Sequence, residues 1–185
     1  MCDVEIIKLP YINSTNTYAK DNAQSFSKKI TVIQAERQLQ GRGRLGRDFL
    51  SDNSDGAWFS VAIKPEKNTI SPQKVLLMPI LAAGETAAAI EDIYGIKSGI
   101  KWPNDILING KKVCGILCES RVVDNNVLLI VIGIGINVNQ KAMHPDIEDI
   151  ATSLFMETAT QVSVDLLIQN ICGNIACSYD KIRRG

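Results

Sequence analysis

The sequence predicts an α+β domain: a mixed, mostly antiparallel sheet flanked by helices. Three observations carry this. From residue 99 onward, strand-like runs follow one another with turn residues between them, Asn109-Gly110 and then Asp124-Asn125-Asn126. Asn-Gly suits a two-residue hairpin because both central positions need φ > 0. Two long segments, 71–94 and 164–183, read as helices instead. Strands and helices do not alternate as βαβ units, which argues against a Rossmann-type parallel sheet.

The elements follow in chain order. Ser14-Thr15-Asn16 offers cap residues for a short helix reaching about Ala23. Ile30-Thr31-Val32-Ile33 is a β-branched run and reads as a strand. Residues 37–56 have no clean period, and so long a stretch reads as a functional lid or a disordered tract. The strand pattern resumes at Trp58-Phe59-Ser60-Val61-Ala62-Ile63. Ser71-Pro72 starts a helix, with Ser as cap and Pro at the first helical position. It is rich in Ala and Leu nearly all round, as a buried helix is, and Gly95 stops it. Pro79 inside it predicts a kink or a second start. Strands are expected over 99–102, 106–108, 113–122 and 127–137. The last helix has Leu166, Leu167, Ile168, Ile171, Ile175 and Tyr179 at helical spacing, with Ser163 as its cap.

Composition narrows the function. With 185 residues, 45% hydrophobic and 22% charged, the chain reads as one soluble globular domain over 1–185. Lys+Arg and Asp+Glu are both 20, whereas a nucleic-acid-binding domain carries a basic excess. The cysteines are Cys2, Cys114, Cys118, Cys172 and Cys177, an odd set without a CxxC pair, and His144 is the one histidine. This argues against a disulfide framework and a zinc site, and for buried, reduced thiols in a cytoplasmic protein. The longest apolar run, 127–132, is strand length, so no membrane span is expected.

Three motifs point to chemistry. Gly41-Arg42-Gly43-Arg44-Leu45-Gly46-Arg47 interleaves glycines with arginines. Glycine lets backbone approach a ligand, and guanidinium forks suit phosphate and carboxylate. The alternatives are a solvated basic loop or a nucleic-acid tail, and the neutral net charge disfavours the tail. Lys101-Trp102-Pro103-Asn104-Asp105 puts a lysine at a strand end before a turn. It is either an exposed edge lysine or one that meets an anion. Gly133-Ile134-Gly135-Ile136-Asn137 places both glycines on one strand face, for close approach by a ligand or for tight packing. There is no Ser-His-Asp or Cys-His set for nucleophilic catalysis and no Walker A sequence. Chemistry by positioning and charge stabilisation fits, as in nucleotidyl transfer.

In this order, Ser14-Thr15-Asn16, Gln38, the Arg/Gly loop, Trp58-Phe59-Ser60, Lys101-Trp102-Pro103-Asn104-Asp105, Gly115-Ile116-Leu117 and Gly133 to Asn137 resemble the catalytic domain of biotin protein ligases. The resemblance spans roughly residues 10 to 140. It implies a sheet similar to that of class II aminoacyl-tRNA synthetases. It implies that biotin and Mg-ATP give biotinyl-5′-adenylate, whose acyl group passes to a lysine of a biotin carboxyl carrier protein. Ser14, Thr15 and Gln38 would then bond the biotin head group. Arg42 and Arg44 would meet the adenylate phosphate and carboxylate, and Lys101 the acyl phosphate. Asn16, Gly41, Gly43, Arg47, Trp58, Gly115, Gly133 and Asn137 fall in the substrate site, and Asn104 and Asn137 at the nucleotide. No metal site of the protein's own is expected, since Mg2+ travels with ATP.

Leu39-Gln40 departs from the commoner small pair before the loop. No N-terminal helix-turn-helix precedes the motifs, so DNA binding is not implied. The C-terminal SH3-like domain of the family is not expected within these 185 residues. The resemblance leaves room for a homodimer. Two alternatives stay open: a lipoate-type acyl ligase, and a biotin-binding fragment with little catalysis.

Overall fold

A seven-stranded sheet organises the computed structural model, which describes residues 4–184. Its strands are β1 (Val4–Ile12), β2 (Ile30–Gln38), β3 (Gly56–Ile63), β4 (Gly99–Lys101), β5 (Asp105–Ile108), β6 (Lys111–Val123) and β7 (Asn126–Asn137). Their spatial order is β1-β2-β3-β7-β6-β5-β4. β1 and β2 run parallel, and the remaining neighbours run antiparallel. The mixed, mostly antiparallel sheet is therefore as expected. The two hairpin turns are also where their residues put them: Asn109 and Gly110 have φ of 49° and 82°, and Asp124 and Asn125 have 48° and 62°.

The structure extends the expectation at the N-terminal edge. β2 runs on to Gln38, and β1 pairs beside it through the short helix α1 (Thr15–Asp21). The first part of the chain is thus one parallel crossover feeding an otherwise antiparallel sheet. β1 holds Pro10 among mixed charges, which hides the strand pattern. An edge strand tolerates proline because one side of its backbone has no neighbour to serve.

The helical stretch at 71–94 divides into α2 (Pro72–Val75) and α3 (Met78–Tyr94). Pro79 stands in the first turn of α3, so it marks a second start rather than a kink. Gly95, at φ 66°, ends α3 in the left-handed conformation that glycine adopts freely. After β7 come α4 (Leu154–Thr158) and α5 (Val164–Arg184). α5 buries Leu167, Ile168, Ile171, Cys172, Ile175, Ala176 and Tyr179, but Leu166 turns outward.

α3 and α5 cover one sheet face over a large apolar cluster that includes Phe59, Val61, Met78, Ile90, Ile132 and Ile171. Each fully buried Ile or Met there contributes about 1.5–3 kcal/mol. The opposite face is only partly covered. α1 packs there with Ala19, Phe26, Ile33, Ala62, Leu129 and Val131. Beyond α1 the same face carries Gly115, Gly133 and Gly135. These leave a depression where side chains would otherwise stand.

Cys114 and Cys172 are buried free thiols, Cys118 is half-buried and Cys177 is exposed, so the expectation of buried thiols fails at Cys177. Burial pushes the Cys172 thiol up to about 12. Cys2 lies outside the described residues. Among those described, no helix is long and apolar enough to cross a membrane.

Candidate active site

The depression holds two adjoining cavities. A narrow one of about 50 Å³ lies over the glycine strands, lined by Ser14, Thr15, Asn16, Gln38, Arg42, Gly115 and Gly133 among others. A wider one of about 380 Å³ is lined by Leu45, Arg47, Leu50, Asp105, Asn137, Ile147 and Ile150. Gly43, Arg44, Phe49, Asn104 and Lys112 line both and form the boundary.

The head of the narrow cavity is a buried hydrogen-bond chain. Gln38 Oε1 accepts from the Thr15 N–H at 2.8 Å and lies 3.0 Å from Thr15 Oγ1. Gln38 Nε2 donates to Ser51 Oγ at 3.2 Å. Ser60 Oγ sits 2.7 Å from Thr15 Oγ1 and 2.6 Å from Asn16 Oδ1. Asn16 Nδ2 donates to the Leu117 carbonyl at 3.2 Å and to Glu119 at 2.8 Å. Glu119 also receives Lys20 at 2.6 Å. Burial opposes ionisation of Glu119. Hydrogen bonds from Lys20 and Asn16, with the charges of Lys20 and Arg42, outweigh it and hold the carboxyl below its usual value.

The glycines make the floor. A Cβ at Gly133 would stand 2.2 Å from Asn16 Oδ1, and one at Gly135 2.6 Å from the Phe49 ring. The choice left open by the sequence resolves as both close packing and a cavity wall. Phe49 rests on Gly115 and Gly135, and its ring meets Trp58 edge to face at 5.9 Å. Lys112 Nζ lies 5.6 Å from the Phe49 centroid and 2.7 Å from Asp105.

The Arg/Gly stretch is a small hydrogen-bonded hairpin rather than a structureless tract. Gly43 N–H donates to Arg47 O at 2.7 Å, Phe49 N–H to Gly41 O at 2.9 Å, and Gln38 N–H to Ser51 O at 2.7 Å. Arg42, Arg44 and Arg47 are exposed on it. Arg44 Nη1 donates to Asn104 Oδ1 at 2.9 Å, tying the tip to the turn after β4.

Most residues singled out from the sequence meet here: Ser14, Thr15, Asn16, Gln38, Arg42, Gly43, Arg44, Arg47, Asn104, Gly115, Gly133 and Asn137 all line one or both cavities. Three do not. Gly41 is buried where a Cβ would be 2.3 Å from Ser51 Oγ, so it serves packing of the hairpin base. Trp58 is fully buried, its indole N–H donating to Asn53 O at 2.7 Å, and acts behind Phe49. Lys101 is exposed on the edge strand β4 and lines neither cavity.

The ammonium at the boundary is that of Lys112. Strict alternation from Gly115 would send Lys112 to the opposite face. The β5–β6 register shifts, however, with Ile106 opposite Cys114 and Leu107 opposite Lys112. Val113 is the extra residue, and this bulge re-aims Lys112 into the site. The Lys112 backbone also bonds Ile150 O and Thr152 N–H at 2.8 and 2.9 Å, which docks the segment bearing Ile147 and Ile150. Phe49 and Glu119 likewise carry no sequence signal of their own. Each matters through what it touches.

The model of the biotin/lipoate A/B protein ligase family matches residues 9–137. The bifunctional ligase/repressor BirA of Bacillus subtilis is 40% identical over 162 residues, covering 86% of this chain and 49% of that protein. The biotin–[acetyl-CoA-carboxylase] ligase of Paracoccus denitrificans is 33% identical over 132 residues, covering 68% and 51%. The chain spans about half the length of these relatives. The structure of biotin protein ligase from Aquifex aeolicus in complex with biotin and ATP superposes with a TM-score of 0.80 at 31% identity, covering 97% of this chain and 72% of that one. The matched span takes in the α1 cap, the Arg/Gly hairpin, the bulged lysine and the glycine strand, and by it this chain belongs to the biotin/lipoate A/B protein ligase family.

Proposed function

We propose that the chain activates biotin with ATP and passes the biotinyl group to a lysine of a biotin carboxyl carrier protein. The observation that carries this reading is the boundary between the two cavities. A narrow cavity with a polar head meets a wider, more apolar one where Arg44 and Lys112 stand together. A carboxylate held in the first and a nucleotide held in the second would react at that line.

In the first step a biotin carboxylate oxygen attacks the α-phosphorus of ATP, and pyrophosphate leaves with the bonding pair. Two anions must be brought together, so fixed cations at the boundary lower the barrier. Lys112 is better placed for this than Lys101, and Arg42 and Arg44 add charge from the hairpin. In the second step the neutral amine of the acceptor lysine attacks the acyl carbon, and AMP leaves. Thr15 and Gln38 would hold the ureido head, with Asn16 bracing them from behind. Asn137 and the Ile147–Ile150 segment would flank the nucleoside. Mg2+ enters with ATP as part of the substrate, held by phosphate oxygens. Among the described residues, no group of three His, Cys, Asp or Glu is placed to hold a metal by itself. ATP and free thiols suit a cytoplasmic setting.

The Paracoccus denitrificans and Aquifex aeolicus relatives are named as biotin ligases, which supports biotin over lipoate. The test is biotin-dependent exchange of labelled pyrophosphate into ATP, with lipoate in parallel. Exchange with biotin alone is expected. Exchange with lipoate alone, or calorimetry showing no biotin binding, would overturn the reading.

A further inference from the structure

We propose that Glu119 is a positioning residue. Through Asn16 and Ser60 it fixes Thr15 Oγ1 as a hydrogen-bond acceptor beside Gln38 Oε1, so the cavity head is preset for an N–H donor. The identity of that donor as a ureido N–H of biotin rests on the function proposed above.

Proton counting gives the direction of each bond. An ionised carboxylate and a backbone carbonyl can only accept. Asn16 faces one of each, Glu119 at 2.8 Å and Leu117 O at 3.2 Å, so both its N–H bonds are committed. Its amide cannot flip without setting oxygen against oxygen. Lys20, at 2.6 Å, anchors Glu119 from the last turn of α1. The depressed protonation of Glu119 is consistent with a carboxylate that stays charged in this role. Gly133 leaves room for Asn16 Oδ1 at the sheet surface.

Asn16 Oδ1 is therefore an acceptor, and Ser60 Oγ at 2.6 Å must donate to it. A hydroxyl has one proton. Ser60 then has no proton left for Thr15 Oγ1 at 2.7 Å, so the single Thr15 hydroxyl proton serves either Ser60 Oγ or Gln38 Oε1. Gln38 is fixed from the other end. Its Oε1 faces the Thr15 N–H, an obligate donor, and its Nε2 faces Ser51 Oγ. Thr15 Oγ1 donates only once and keeps lone pairs beside Gln38 Oε1, 3.0 Å away on the cavity wall. A ligand N–H can be accepted there, whereas a ligand carbonyl would find the Thr15 proton already used.

Glu119→Gln keeps the shape but can present an amide N–H to Asn16 and release the constraint. Ser60→Ala breaks the same chain at another link and keeps the test open should the first variant melt. Two readouts decide. In the free protein, nitrogen-15 NMR of the Asn16 side-chain amide should show slow exchange, with large shift changes in Glu119→Gln. Unchanged resonances would overturn the relay. By calorimetry, biotin should bind each variant about tenfold more weakly, the size of one lost hydrogen bond. Biotin methylated at a ureido nitrogen should lose less than biotin does, because its N–H is already gone. Equal losses for both ligands mean a merely structural role and overturn the proposal. If the parent binds no biotin, the proposed function fails, and the NMR readout still judges the relay.

Discussion

The ammonium of Lys112 lies 2.7 Å from the Asp105 carboxylate, across the bulged pairing of β5 with β6. Asp105 also sits 3.3 Å from Asn104 Nδ2, and Asn104 in turn holds Arg44. The two boundary cations therefore share one polar bridge. Each is steered by a partner that leaves it accessible.

Lys112→Ala should slow pyrophosphate exchange about 100-fold while biotin binding changes little, as for removal of one charge-stabilising group. Lys101→Ala should alter exchange by about twofold or less, as for an exposed surface change. Exchange assays with calorimetry on the same preparations check both. A larger loss at Lys101 than at Lys112 would return the role to the strand-end lysine.

Arg44→Ala should cost about 0.5 kcal/mol or less in stability, because the side chain is exposed. Release of preformed biotinyl-adenylate should accelerate about tenfold or more, since a hydrogen bond to a charged group is worth about 1.5–3 kcal/mol. Melting curves and dissociation rates separate the two. A large melting shift with unchanged release would make the Asn104 bond structural.

Gly135→Ala should destabilise the protein by about 1–3 kcal/mol and displace Phe49, because the new Cβ falls 2.6 Å from its ring. Combining it with Phe49→Ala should cost less than the sum of the single changes, since the clash is gone. Urea unfolding of the four proteins measures this coupling. Strict additivity would mean that the ring moves aside freely.

Glu119 sets an acid limit. Its carboxyl is held below the ordinary value of 4.5 in the folded chain, so the unfolded chain binds the proton more readily. Its stabilisation is complete above about pH 4.5 and is lost as pH falls through the folded value. The stability gap between parent and Glu119→Gln should be largest near neutrality and shrink in acid. A gap unchanged down to pH 3 would mean the charge contributes nothing.

Much of the architecture is legible because local chemistry fixes it. Asn109-Gly110 and Gly95 need left-handed backbone, and Ser71-Pro72 is built to start a helix. The cavity head was legible only through the family resemblance, which pointed to Ser14, Thr15 and Gln38; taken alone, Ser14-Thr15-Asn16 reads as a helix cap. What stayed hidden depends on pairing between distant strands. Val113 looks like any strand valine, yet as a bulge it changes which lysine lines the cavities. Lys101 stands in a conspicuous motif but at a sheet edge, because β4 has a neighbour on one side only. β1 escaped notice since its proline breaks the pattern without breaking an edge strand.

The β3–β7 pairing has a consequence for how the molecule comes into being. Trp58 pairs with Gly135 and Ser60 with Gly133, and this line joins the first third of the chain to the later hairpins. Thr15, Gln38 and Arg42 come from one side of it, and Lys112 and Asn104 from the other. A slip of one residue would put isoleucines where the glycines stand and fill the depression. The depression therefore does not exist in either portion alone. Its appearance during refolding requires two distant stretches to find a single register, so ligand binding would report that this long-range pairing has formed.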